Sequence, residues 1–311
     1  MAFVPARERR GLSGVMLLIP LFAIVLLAGA VLGLGWDASG RALHPACGAY
    51  DWSQADYPEL TADEVTVGSS SGASLAGRFF RGRNGATVVL LHGYGGNQDE
   101  VLPLADQLRG AGYNVFTYDQ RGCGASTGEI TFGAREQDDL VSVVDYLASR
   151  PDVDDGKVGV FGFSMGGATA IMTAAREPRI SAVVADSAWS DVRAWLRPSV
   201  KASLIHPRDP FTALSLKLAE RRTGIDLDSL RPADVVARIS PRPLLLVHGR
   251  ADDVIEASEA ERNHAAAREP KELVLVSGAG HGDTIAPGGA SLRHVREFFD
   301  RAFARKAKVA A

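Results

Sequence analysis

Three residues far apart in this sequence have the types and settings for nucleophilic acyl chemistry: Ser164, Asp252 and His281. Ser164 sits in Gly162-Phe163-Ser164-Met165-Gly166, between a strand-like apolar run at 157–161 and a helix-like one at 168–175. A serine on so tight a strand-to-helix turn is held at a strained backbone angle, and the glycines leave room for the neighbouring backbone. The turn lifts the hydroxyl out of the sheet, and the helix N-terminus behind it favours developing negative charge. The hydroxyl is a poor nucleophile until an imidazole takes its proton, and the imidazole needs a carboxylate to fix its tautomer. Asp252 and His281 each follow an apolar strand-like run, 244–248 and 273–276, at the strand ends where open α/β sheets place their chemistry.

Other groups compete for these roles. Asp253 adjoins Asp252 and reads as a solvated turn residue. Asp186 ends a strand and reads as structural, binding backbone amides. Asp283 reads as a cap on the segment after His281. His92 and His248 each precede a glycine at a strand end and are expected to hold loops rather than move protons, while His44, His206 and His264 have no partner pattern. Two cysteines, Cys47 and Cys123, form neither a disulfide framework nor a metal-ligand cluster. They can pair only if the domain is exported, and placing one in a stalk and the other in a turn beside the site argues for their staying apart.

Four segments, standing along the chain in the order that fold requires, resemble the α/β-hydrolase superfamily, over roughly residues 60 to 303. They are the Gly162–Gly166 elbow; Leu91-His92-Gly93-Tyr94-Gly95-Gly96, similar to the loop after the third strand; Asp119-Gln120-Arg121-Gly122-Cys123-Gly124-Ala125-Ser126, similar to a D-x-R-G-x-G-x-S turn; and His248-Gly249-Arg250-Ala251-Asp252, matching the H-G-x-x-D segment that ends in the acid. Within the superfamily the chain resembles membrane-tethered or exported hydrolases akin to the ABHD group and prolyl-oligopeptidase-like esterases. The resemblance implies a serine hydrolase of carboxylic esters or related acyl bonds. Ser164 is then the nucleophile, His281 the base and Asp252 its orienting acid, with the backbone N–H groups of Tyr94 and Met165 as the oxyanion hole. It implies no metal or organic cofactor. An exported peptidase or amidase, an acyltransferase and a non-catalytic binding module on the same fold remain alternatives.

The elements that must position these residues alternate. A hairpin at 64–67 and 75–80 is followed by a buried strand at 87–91, a helix at 98–111, a strand at 113–118, a helix at 134–148 and a strand at 180–185. Short apolar strands alternating with helices imply an α/β fold, a mostly parallel sheet covered on both faces. About 50 residues then precede the strand near Leu244, more than a simple connection needs, and residues 190–235 are assigned to a small lid. Phe211, Leu214 and Leu218 have helical spacing there. Most of the lid's apolar residues are expected to pack it onto the sheet, and Trp189 and Phe211, with the Tyr94 ring, are candidates to line a substrate pocket.

Ahead of the domain, residues 15–34 carry no charge. A helix of that length spans about 30 Å, the hydrocarbon thickness of a bilayer. Arg7, Arg9 and Arg10 precede it, so the positive-inside rule leaves a cytoplasmic tail at 1–14, an anchor at 15–35, a stalk at 36–60 and a domain at 61–306 facing outward. Ala28-Gly29-Ala30 offers a competing signal-peptide site, which would release a secreted domain. A net charge of −3 with no long basic run gives no sign of nucleic-acid binding, and the expected partner is a small-molecule or lipid-like acyl ester.

Overall fold

The computed structural model describes residues 12–48, 50–195 and 210–309. Eight strands form one sheet: β1 (Ala62–Gly68), β2 (Ser74–Phe80), β3 (Thr87–Leu91), β4 (Asn114–Tyr118), β5 (Val158–Phe163), β6 (Ile180–Asp186), β7 (Leu244–Gly249) and β8 (Lys271–Val276). Their order is β1-β2-β4-β3-β5-β6-β7-β8. β1 and β2 form the antiparallel edge hairpin and β2 meets β4 antiparallel, whereas the pairs from β4 through β8 are parallel. β3 to β7 are buried along their whole length, as a sheet covered on both faces requires.

Two apolar layers cover the faces. Leu140, Val143, Val144 and Leu147 of α3 (Glu136–Ala148) join Ile171 and Ala174 of α4 (Met165–Ala174) on one face. On the other, Leu102, Leu104 and Leu108 of α2 (Leu102–Gly110) meet Phe298, Phe299 and Phe303 of α9 (Ala290–Val309). Between β6 and β7 come α5 (Val192–Trp195), α6 (Pro210–Thr223) and α7 (Pro232–Val235), and between β7 and β8, packed on both, α8 (Ser258–Ala266).

The N-terminal helix departs from expectation in length and in company. α1 (Leu12–Leu43) runs past residue 35 into what the sequence suggested was a stalk. Leu214 and Leu218 of α6 pack on it rather than on the sheet: a Cβ at Gly35 would sit 3.0 Å from Leu214 and 3.2 Å from Leu218. Arg222 lays its guanidinium 4.6 Å from the centre of the Trp36 ring. Residues 44–48 and 50–60 then lie on the domain, with Trp52 Nε1 donating to the Asp99 carbonyl at 2.8 Å. The tail before residue 12, and the side chains of residues 12–23 and 25 over which much of the expected anchor runs, lie outside the described residues. Among the described residues no helix is long and apolar enough to cross a membrane, while Ile24, Leu26, Leu27, Leu32 and Leu34 of α1 are exposed.

Candidate active site

The elbow is tighter than its sequence suggested. β5 continues to Phe163 and α4 starts at Met165, so Ser164 alone makes the turn, at φ 53° and ψ −116°. Non-glycine residues there carry strain of order 1–3 kcal/mol. The glycines make it possible: a Cβ at Gly162 would lie 2.1 Å from the Gly166 carbonyl oxygen, and one at Gly166 2.6 Å from that of His92. The Ser164 N–H donates to the Asp186 carbonyl at 2.8 Å, tying the turn to β6.

Beside it, β7 and β8 deliver an acid and an imidazole. Asp252 Oδ1 accepts the N–H groups of Val254 and Ile255 at 2.9 and 2.8 Å, and Oδ2 accepts His281 Nδ1–H at 2.8 Å. His281 Nε2 is then left to accept from Ser164 Oγ, 3.1 Å away. Asp253 points into solvent. Asp283 reaches back instead of capping the following segment: its Oδ2 accepts the Gly280 N–H at 2.7 Å and closes the turn that presents His281. The Phe163 ring lies against the imidazole, 4.9 Å between centres.

Asp252 has a further neighbour. His248 Nε2 lies 2.7 Å from the Ile255 carbonyl and 3.2 Å from Asp252 Oδ2, fully buried. Since the carbonyl only accepts, Nε2 carries the proton and is shared between the two oxygens. Burial pushes the Asp252 pKa upward, but hydrogen bonds from His248 and His281 outweigh it and the net shift is down. For His248, burial pulls down, and Asp252, the Ile255 carbonyl and Asp186 carry it above its ordinary value. Asp186 binds hydroxyls rather than the expected amides: Oδ1 accepts from Ser187 and Thr284 at 3.0 Å each. Its Oδ2 is buried with no hydrogen-bond partner among the described residues, and burial pushes its pKa up to about 6 against the pull of those hydroxyls.

On the opposite flank, residues 92–96 form the loop after β3. His92 Nε2 accepts the Gln120 N–H at 2.8 Å, so Nδ1 carries the proton and donates to the Gly93 carbonyl at 2.7 Å. Burial lowers the His92 pKa, which suits a neutral, loop-holding ring. Tyr94 stacks on Phe132, with 5.6 Å between centres, and its hydroxyl donates to the Ala42 carbonyl at 2.9 Å. Trp189 is fully buried with Met165, Leu216 and Leu43 in one apolar cluster beside the elbow. The Phe211 side chain lies outside the described residues. The 119–126 turn is a structural clamp: Asp119 accepts the N–H groups of Gln98 and Ala125 at 2.9 Å, and Arg121 pairs with Asp139 at 2.6 Å. Cys47 and Cys123 are disulfide-bonded, against expectation. Residues 44–48 do not form a free stalk but cross this turn, which brings the two sulfurs together. On the lid, the carboxylates of Glu220, Asp226 and Asp228 converge, with Arg193 bridging Glu220 and Asp228.

This sheet, with a lone serine at its strand-to-helix elbow, defines an α/β hydrolase of the serine class. Comparisons with known proteins agree. The family model described as Peptidase S15, X-Pro dipeptidyl-peptidase, matches residues 80–235, and the chain belongs to that family of α/β hydrolases. It is 30% identical over 234 residues to the uncharacterized protein YfhR of Escherichia coli, covering 73% of this chain and 75% of that one. It is 29% identical over 291 residues to the uncharacterized protein Rv2307c of Mycobacterium tuberculosis, covering 90% and 94%. Among solved structures, the esterase Pf2001 of Pyrococcus furiosus superposes with a TM-score of 0.66 at 26% identity, over 84% of this chain and 98% of that one.

Proposed function

We propose that the protein hydrolyses carboxylic esters or related acyl bonds through an acyl-enzyme on Ser164. The observation that carries this reading is the hydrogen-bonded line from Ser164 through His281 to Asp252. His281 Nε2 takes the proton as Ser164 Oγ attacks the acyl carbon, and the imidazolium is stabilised by Asp252. The oxyanion forms at the start of α4, where the N–H of Met165 and that of Tyr94 donate to it. His281 returns the proton to the departing alkoxide, and a water molecule repeats the sequence to free the acid. No metal or organic cofactor enters these steps.

A peptidase reading is favoured by the family match. An X-Pro dipeptidyl-peptidase must also hold a substrate ammonium, for which unpaired carboxylates are suited. Among the described residues the acids around this site are engaged otherwise: Asp252 by two histidines, Glu259 by Ser190 and Arg262, Glu136 by the 131–133 turn, the half-buried Glu100 by the Gly93 N–H, and Asp186 by Ser187 and Thr284, its second oxygen sealed from solvent. That supports esters over amino-terminal peptides. Tyr94, half-buried in the apolar cluster beside the elbow, is proposed to face the acyl group, which suits a lipid-like substrate, whereas Trp189 of the same cluster is fully buried and has no surface to offer it.

In this reading α1 anchors the protein and the domain faces the oxidising side of the membrane. The uncharged 15–34 run behind Arg7, Arg9 and Arg10, the exposed leucines of α1 and the Cys47–Cys123 disulfide all support it. The Ala28-Gly29-Ala30 site lies mid-helix, which disfavours cleavage.

The test is labelling by a fluorophosphonate and hydrolysis of p-nitrophenyl esters. Ser164→Ala is expected to abolish both while unfolding at a nearly unchanged temperature, since it removes one hydroxyl oxygen and no core volume; equal activity in the variant would sink the serine mechanism. For topology, external protease on intact cells should remove the domain and carbonate should not release the full-length chain. A soluble form beginning near Val31 would instead mean signal cleavage.

A further inference from the structure

The segment that follows α1 does more than join a helix to a domain. Over residues 42–48 and 50–52 it crosses the 93–96 loop and is fastened to it at successive points. The Tyr94 hydroxyl donates to the Ala42 carbonyl at 2.9 Å, Gly48 N–H donates to the Gly95 carbonyl at 2.8 Å, and Asn97 Nδ2 donates to the Gly48 carbonyl at 2.8 Å. Pro45 lies on Gly95, where a Cβ would meet it at 3.6 Å. Tyr50 closes the far end: a Cβ at Gly96 would come within 2.6 Å of its hydroxyl, which hydrogen-bonds Glu100, and Glu100 Oε2 accepts the Gly93 N–H at 2.6 Å. The strap is fixed to the domain independently by the Cys47–Cys123 bond, across 76 residues of sequence, and by Ile130 N–H donating to the Leu43 carbonyl at 3.1 Å.

We propose that this strap is a positioning device for the oxyanion hole: the Tyr94 hydroxyl and the Cys47–Cys123 bond hold the Tyr94 backbone N–H where the transition-state oxygen forms. The proposal rests on the oxyanion role given to Tyr94 above. Its physical basis is that a loop of four residues with three glycines, Gly93, Gly95 and Gly96 around Tyr94, has little stiffness of its own. An oxyanion donor contributes only when already aimed at the oxygen, and losing one such donor costs about a hundredfold or more in kcat. His92 and Gln120 hold the loop from the domain side, and the strap holds it from the other. Because the strap continues α1, which packs on α6, the anchor, the lid and the oxyanion loop are joined as one body.

The experiment uses the full-length protein in detergent with p-nitrophenyl butyrate as substrate. The parent is compared with Tyr94→Phe, which keeps the ring on Phe132, with Cys47→Ala/Cys123→Ala, and with the three substitutions combined. Thermal unfolding verifies that each variant is folded. The expected result is a fall in kcat of about tenfold in each, with KM within twofold and an unchanged pH profile. The combined variant should lose less than the product of the two, since both release the same loop. A raised KM at constant kcat would overturn the proposal, making the strap a substrate wall. Hydrolysis that still depends on Ser164 but is unmoved by either change would overturn it and leave the serine reading intact. Hydrolysis that persists in Ser164→Ala would overturn both.

Discussion

The two flanks of Ser164 are held in opposite ways. On the side proposed for acid–base work the hydrogen bonds that orient the carboxylate are mostly local: Asp252 is fixed by the N–H groups of Val254 and Ile255, two and three residues on, and by His248, four residues back. The turn that presents His281 is closed by Asp283. On the oxyanion side the 93–96 loop is held from afar, by Ala42 and Gly48 and through a disulfide between residues 47 and 123. A turn that folds from its own side chains has a geometry its own residues encode. A glycine-rich loop borrows its geometry from whatever is laid across it, so its precision is vulnerable at a distance.

The largest effect that would break this comparison lies on the acid side. Asp252→Asn is expected to lower kcat by about ten-thousand-fold, because the amide leaves His281 in the wrong tautomer. Asp253→Asn, in solvent, should change it by less than twofold. The reverse ranking, read from steady-state ester hydrolysis, would show that the neighbouring carboxylate is the working one. A smaller effect sharpens the same point. His248→Leu removes one of the two histidines on Asp252 and leaves that charge short of a donor, a loss of about 1.5–3 kcal/mol, or roughly ten- to a hundredfold in kcat. His248→Gln, whose amide nitrogen can stand where Nε2 stands, should restore most of it. If the acid side is self-contained, His248→Leu and Cys47→Ala/Cys123→Ala should multiply in a double-mutant comparison; marked coupling would mean that the flanks are mechanically one.

The same contrast explains what could be read from the sequence. The alternation of strands and the elbow were legible because each rests on neighbours within a few residues, and so were the strand ends that bring Ser164, Asp252 and His281 within hydrogen-bond reach. Even His248 left a trace, its i, i+4 spacing to Asp252 within the H-G-x-x-D segment. Asp186 and Asp283 were placed correctly at strand and loop ends but assigned the wrong partners, since a carboxylate's partner depends on what the fold brings opposite it. The strap was not legible at all. Nothing around Cys47 signals that it will cross the turn at Cys123, and residues 36–60 have the composition of a stalk. The lid was misjudged for the same reason: Leu214 and Leu218 have helical spacing, but spacing does not say whether the sheet or α1 receives them.

The smallest expected effect concerns the group that ties Ser164 to the His281 side. The Asp186 carbonyl accepts from Ser164 N–H, while its carboxylate accepts from Thr284, three residues beyond His281. Its pKa is raised to about 6 by burial, so the folded protein binds this proton more tightly than the unfolded chain. Stability from this group is therefore fully present below about pH 4, falls as pH rises through about 6, and is level above that. A rise of this size in one carboxyl corresponds to about 3 kcal/mol at most. Asp186→Asn keeps an oxygen for the two hydroxyls and has no proton to lose. The variant should unfold within a degree or two of the parent at about pH 4.5 and several degrees above it at about pH 7.5, with ester hydrolysis changed by less than threefold. A Tm difference that is the same at both values would mean that Asp186 is ionised throughout, and that the oxygen left without a partner is reached by water. A large loss of activity instead would place Asp186 in the proton relay, and the acid–base flank would then no longer be held by local residues alone.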